Sequence, residues 1–136
     1  MKPHDPILLV EDDLVEVLTF KRALRDMAIE RPLHVASTGE DAIQLLSAPD
    51  AELPKLILLD LNMPRMNGIE FLATIKKHPL WRRIPVVVLT TSDQEQDRRQ
   101  CFDLSVAGYI IKPMDYNEFV EVLKVICAYW CLNESS

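Results

Sequence analysis

The sequence predicts an α/β domain built on a parallel five-stranded sheet, and three observations predict it. Five short apolar runs recur along the 136 residues, four of them nearly continuous in apolar side chains rather than alternating. Amphipathic stretches at helical spacing separate the runs in strict alternation, the pattern of βα units joined by right-handed crossovers. Polar residues of distinctive chemistry follow four of the runs, and in a parallel sheet the carboxyl ends of the strands are where ligands sit.

The first run is "ILLV" at 7–10, with Asp13 placed as helix N-cap ahead of a stripe of Val17, Phe20, Leu24 and Met27. The second is "LHVA" at 33–36, and Ala42, Leu45 and Leu46 form a shorter stripe after Gly39. A loop, "SAPDAELPK", leads to "LILL" at 56–59, after which Ile69, Leu72, Ile75 and Lys76 follow Gly68. The fourth run is "VVVL" at 86–89; the helix expected over 93–104 is the most polar, with only Cys101, Phe102 and Leu104 as apolar content. "AGYII" at 107–111 precedes a last helix bearing Phe119, Val122, Leu123 and Ile126, with Asp115 as N-cap and Glu118 spaced for a capping box. The closing "LNESS" reads as a loose tail.

Composition narrows the function classes. The chain is 49% apolar and 26% charged, ordinary for one soluble domain, 1–136, with a real core. A net charge of −6 and the lack of a basic cluster argue against nucleic acid as a partner. No apolar run approaches the roughly 20 residues of a membrane span, and the N-terminus is not a signal peptide. Cys101, Cys127 and Cys131 form an odd, unpatterned set, read as reduced thiols of a cytoplasmic protein. Cys127 and Cys131, spaced i, i+4, are read as core rather than metal ligands.

The residues just past the runs carry the chemistry. Glu11-Asp12-Asp13 comes after the first, Asp60 after the third, Thr90-Thr91-Ser92 after the fourth and Lys112-Pro113 after the fifth. Singly, each has an ordinary reading: a cap, a satisfied strand hydroxyl, a surface charge, a turn. Together they converge, and gathering Glu11, Asp12 and Asp60 is costly, because like charges about 4 Å apart repel by roughly 4 kcal/mol at an effective dielectric near 20. Lys112 compensates part of that, and a divalent metal the rest. Carboxylates without histidine or thiol select a hard ion such as Mg²⁺, which keeps open positions for phosphoryl oxygens. Asp60 is then the candidate nucleophile. Asp12 is the direct metal ligand, Glu11 helps through water, and a backbone carbonyl near Asn62 completes the set. Lys112 and Thr90 would contact phosphoryl oxygens. No G-x-x-x-x-G-K-[ST] motif occurs, which excludes nucleotide binding of that type.

In this order and spacing, "ILLVEDD", "LILLDLNMPRMNG", "IPVVVLTTSD" and "AGYIIKPMD" resemble the receiver domain of two-component response regulators over roughly residues 6 to 128. The resemblance implies a doubly wound (βα)5, flavodoxin-like fold with helices on both faces. It implies transfer of a phosphoryl group from a histidine kinase to Asp60, with Mg²⁺ held by Glu11, Asp12, Asp60 and the Asn62 main chain. It implies phosphate contacts from Thr90 and Lys112, and a switch in which Tyr109 turns inward once the Thr90 hydroxyl moves to the phosphate. Pro113 is a candidate for a cis peptide bond. Thr91, larger than the residue usual there, together with Asn62 and Ser92 would tune access and hydrolysis.

Only six residues follow Trp130, so the chain is similar to stand-alone receivers, with an unidentified downstream protein as reader. "TTSD" and the terminal "YW" resemble the small receivers paired with phytochrome kinases, often dimeric through the fourth helix, fifth strand and fifth helix. Tyr109, Tyr129 and Trp130 are candidates for that interface. Leu14, Val15 and Leu18 lie off the inward stripe: either a broad buried face, a loop-covered patch, or a docking surface for the kinase's four-helix bundle. Two other readings stand beside the switch. An aspartyl-phosphate phosphatase of the haloacid-dehalogenase type would show D-x-D, but Asn62 replaces the acid that protonates the leaving group, so an enzyme is not expected. An inert interaction module would not need Asp60, Asp12, Thr90 and Lys112 together.

Overall fold

The computed structural model describes residues 5–61 and 67–131, with Cys131 described by its backbone alone. Five strands, β1 (Ile7–Val10), β2 (Leu33–Ala36), β3 (Leu56–Leu59), β4 (Val86–Thr90) and β5 (Gly108–Ile111), alternate with five helices. These are α1 (Leu14–Asp26), α2 (Gly39–Ser47), α3 (Gly68–Lys77), α4 (Glu95–Asp103) and α5 (Tyr116–Ile126). A one-turn 3-10 helix, Trp81–Arg83, and a π-helical turn, Cys127–Cys131, complete the chain; neither has a signature in the apolar spacing.

All strand pairs are parallel, in the order β2-β1-β3-β4-β5. The apolar runs explain both covered faces. Leu8, Val10, Ile57, Leu59, Val86 and Val88 pack with residues of α2, α3 and α4, including Phe71, Ile75 and Cys101. Their sequence neighbours Ile7, Leu9, Leu56, Leu58, Val87 and Leu89 face α1 and α5, meeting Phe20, Leu24, Phe119 and Leu123. Strand residues alternate sides with period two, so a run that is apolar throughout supplies two cores at once. Edge strands β2 and β5 are less buried, and they are the runs with polar or small members.

Local chemistry sets the helix starts. Asp13, Thr38 and Asp115 each accept from a backbone N–H of the first turn, at 2.9, 3.0 and 3.0 Å. The reciprocal capping box forms at α3, where Asn67 Oδ1 accepts from Glu70 N and Glu70 Oε1 accepts from Asn67 N. At α5, Asp115 makes the forward half of the box expected with Glu118. The polar helix α4 does form, anchored by buried Cys101 and partly buried Leu104, while Phe102 is exposed.

Some expectations shift. Leu45 leaves the α2 stripe for the surface, and the inward face is Gly39, Ala42 and Leu46. The broad buried face considered for α1 is absent: Leu14 and Val15 are each 69% exposed and Leu18 is exposed too. The peptide bond before Pro113 is trans, as is every peptide bond among the described residues, which corrects the cis candidate. The ladder bond from Lys112 N to Thr90 O, 2.7 Å, keeps the chain extended there, and trans remains preferred for X–Pro by about 0.5–1 kcal/mol. Phe119 is core, edge-on to Phe20 at 4.9 Å. Trp130 is partly buried against the α1–α5 core and lies over Gly108, whereas Tyr129 is exposed. Cys101 and Cys127 are buried. Among the described residues no helix is long and apolar enough to cross a membrane.

Candidate functional site

The strand order reverses between β1 and β3, and in open parallel sheets the crevice beyond that switch point is where ligands bind. Backbone hydrogen bonds carry the ladder one residue past the strands and deliver the functional residues to this edge. Glu11 N donates to Ala36 O at 2.9 Å, Asp60 N to Val10 O at 3.1 Å and Lys112 N to Thr90 O at 2.7 Å. Carboxylate oxygens of Glu11, Asp12 and Asp60 all lie within 4.8 Å of one another. The three acids picked from the ends of two separate runs do converge. Asn62, the fourth member of the expected set, lies outside the described residues.

Lys112 reaches into the same cluster. Its ammonium donates to Glu11 Oε1 at 2.9 Å and to Glu16 Oε2 at 3.1 Å, with side-chain exposures of 7%, 2% and 35% for Lys112, Glu11 and Glu16. Glu16 carries no signal in the sequence, because a glutamate in the first turn of a helix reads as an ordinary dipole partner.

Burial pushes the Glu11 carboxyl up to about 7, against the hydrogen bond and charge of Lys112, which pull it down; the nearby Asp60 pushes it further up. Burial also pulls Lys112 down, but the hydrogen bond and charge of Glu11, the charge of Asp60 and the Glu16 hydrogen bond outweigh it and raise it. The ammonium is therefore secure at neutral pH, and Glu11 is the group near its midpoint. Because the folded value of Glu11 stands above the ordinary 4.5, the native chain binds more protons than the unfolded one between about 4.5 and 7. Its contribution to stability therefore falls as pH rises through that window. In EDTA, wild type should lose stability relative to Glu11→Gln from pH 4.5 to 7 in thermal melts; a pH-independent difference would refute this assignment.

The hydroxyl side of the site forms a connected chain. Thr90 is fully buried, and its Oγ accepts from Ser92 N at 3.2 Å. A hydroxyl that accepts one bond still carries a proton to give. Ser92 Oγ donates to Asp97 Oδ2 at 2.6 Å, so the Ser92 side chain is engaged with α4. The Tyr109 hydroxyl donates to Ser92 O at 2.8 Å, which ties β5 to the β4–α4 connection. Burial raises the Tyr109 phenol, so it remains a donor. Thr91 is exposed and shares a cleft of about 410 Å³ with Glu16, Lys112, Pro113, Tyr116 and Phe119.

The donor set fits a hard divalent cation: three clustered carboxylate oxygens, no histidine or thiol in the group, and a buried acid that gains from a nearby positive charge.

Comparison with known proteins agrees with this geometry. The probable methanogenesis regulatory protein FilR2 of Methanothrix harundinacea is 33% identical over 96% of this chain and 87% of its own length. The response regulator Rcp1 of Synechocystis sp. is 36% identical over 94% of this chain and 90% of its own. The crystal structure of the Mn²⁺-bound form of Rcp1 superposes with a TM-score of 0.85 at 34% identity, covering 97% of both chains. That of the phosphorylated cyanobacterial phytochrome response regulator RcpA gives a TM-score of 0.89 at 36% identity, covering 98% of this chain and 97% of that one. The model of the response regulator receiver domain matches residues 7–124, and with the acids of β1 and β3 gathered at the switch point, the chain belongs to the response regulator receiver domain family.

Proposed function

We propose that this chain is a response regulator that accepts a phosphoryl group from a histidine kinase on Asp60, in a Mg²⁺-dependent reaction, and passes the change to a partner protein. The observation that carries the reading is the Glu11–Asp12–Asp60 cluster with Lys112 reaching into it at the sheet's switch point. The likeness to RcpA, a cyanobacterial phytochrome response regulator, supports a phytochrome as the kinase.

In the reaction, an Asp60 carboxylate oxygen attacks phosphorus. The new P–O bond forms as the donor P–N bond breaks, and its electron pair returns to the imidazole. Lys112 neutralises a phosphoryl oxygen as a point charge, and the Thr90 hydroxyl donates to another. A divalent ion held by Glu11, Asp12, Asp60 and the Asn62 main chain would offset the negative charge of carboxylates and phosphoryl oxygens when bound. Drawing Thr90 toward the phosphoryl group breaks its bond from Ser92 N. Ser92 in turn holds the Tyr109 hydroxyl, so Tyr109 and the α4–β5–α5 face feel the change. Thr91 and Ser92, with Asn62, would set the access of hydrolytic water.

The test is incubation with Mg²⁺ and acetyl phosphate, reading an acid-stable, hydroxylamine-labile phosphate. Label that disappears in Asp60→Asn is expected. Absence of label would favour an inert module, and turnover of phosphomonoesters a phosphatase. The exposed Leu14, Val15 and Leu18 on α1, flanking the site, fit contact with the kinase's helices. Leu18→Glu should slow transfer from a phosphorylated phytochrome kinase at least tenfold while leaving acetyl phosphate labelling intact; unchanged transfer would remove α1 from the interface.

A further inference from the structure

Lys112 serves two carboxylates that differ in kind. Glu11 is 2% exposed and held by the sheet edge, whereas Glu16 is 35% exposed, in the first turn of α1 and on the wall of the 410 Å³ cleft. An ammonium has three donors, and two are committed here. A phosphoryl group on Asp60 must draw on the same ammonium. The charge inventory sharpens the conflict: the site gathers the four carboxylates of Glu11, Asp12, Glu16 and Asp60 with one ammonium, a divalent ion still leaves an excess negative charge, and an acyl phosphate adds another.

The two carboxylates are not equally able to give the ammonium up. Glu11, at 2% exposed, has almost no access to water and depends on a neighbouring positive charge more than Glu16 does. Glu16 is partly exposed and sits at the positive end of the α1 dipole, so water and the helix end can take the place of Lys112 beside it. Glu16 and Lys112 also line one cleft with Thr91, which admits water to the Glu16 side of the pair.

We propose that Glu16 is a positioning residue that competes with the phosphoryl group for Lys112. It draws the ammonium toward α1 in the unphosphorylated chain and releases it when Asp60 is modified. The inference rests on the phosphoacceptor reading of Asp60. Its consequence is a brake: Glu16 lowers the affinity of the site for a phosphoryl group while adding to the negative field that attracts the metal. Release also leaves an unpaired carboxylate in the helix turn that bears Leu14, Val15 and Leu18, linking the state of Asp60 to that surface.

The experiment is calorimetric titration of wild type, Glu16→Gln, Glu16→Ala and Asp60→Asn, first with Mg²⁺ alone and then with beryllofluoride in saturating Mg²⁺. Both Glu16 variants are expected to bind beryllofluoride about three- to tenfold more tightly than wild type and Mg²⁺ alone about two- to threefold more weakly. A merely structural role would weaken both. Glutamine keeps the side-chain volume and alanine is the best helix former, so at least one variant should retain the fold. Unchanged or weaker beryllofluoride binding in the Glu16 variants, with wild type binding normally, overturns the inference alone. Failure of wild type to show beryllofluoride binding that Asp60→Asn abolishes overturns the phosphoacceptor reading, and the inference with it.

Discussion

Gly68→Ala is expected to destabilise the chain by about 3 kcal/mol, against the usual sign for this substitution in a helix. Glycine ordinarily costs a helix about 0.8–1.0 kcal/mol relative to alanine, so the change would stabilise an unconstrained site. Gly68 is constrained. A Cβ there would lie 2.5 Å from Leu61 Cα and 2.7 Å from Asp60 O, both backbone atoms with no rotamer to yield. Gly68 N also donates to Leu61 O at 3.0 Å, so the start of α3 is docked directly on the peptide just past β3. Relief therefore requires either withdrawing α3, whose Phe71, Leu72 and Ile75 are fully buried, or displacing Asp60 itself. Urea melts should show the loss of stability, and Mg²⁺ titration a weakened site in the same variant. A variant within about 0.5 kcal/mol of wild type, or with unchanged Mg²⁺ affinity, would mean the close approach is relieved elsewhere.

Lys112→Met should lose about 3 kcal/mol in metal-free buffer and regain a large part of it on adding Mg²⁺. Methionine retains much of the stem's apolar volume, so the main loss is the ammonium between Glu11 and Glu16. Removing one partner of a buried pair costs about 3–5 kcal/mol because the other charge is stranded. Glu11 can escape part of that by taking up a proton, since burial already holds its carboxyl at about 7, and this keeps the loss at the low end. A divalent ion at Glu11, Asp12 and Asp60 replaces the missing positive charge, so the stabilisation by Mg²⁺ should be larger in the variant than in wild type. Equal Mg²⁺ shifts in thermal melts of the two proteins would show that Lys112 and the metal do not serve the same carboxylates. Labelling by acetyl phosphate should fall about 10²-fold or more, the scale for losing one preorganised donor to developing negative charge.

These effects were legible in the sequence to different depths. Strands, and the sidedness of the sheet, follow from runs such as Leu56–Leu59 and Val86–Thr90, since a residue's face is set by its parity along the strand. The caps Asp13 and Asp115 were readable because a cap is a contact within one turn. The gathering of Glu11, Asp12, Asp60 and Lys112 was readable because parallel strands share one carboxyl edge. No side-chain contact had to be foreseen.

The tertiary structure alone decided the pairings between distant segments, whose meeting depends on how helices pack over the sheet. Glu16 reaches Lys112 across 96 residues, the Tyr109 hydroxyl finds the carbonyl of Ser92, and Trp130 covers Gly108. Leu14, Val15 and Leu18 are surface because α1 meets the sheet through the narrow stripe of Val17, Phe20, Ala23 and Leu24. The sequence by itself determined which groups stand at the working edge, through periodicity and chain order. Which partner holds each group there was settled only by the packing distances between α1, α3 and the sheet, which no local pattern encodes.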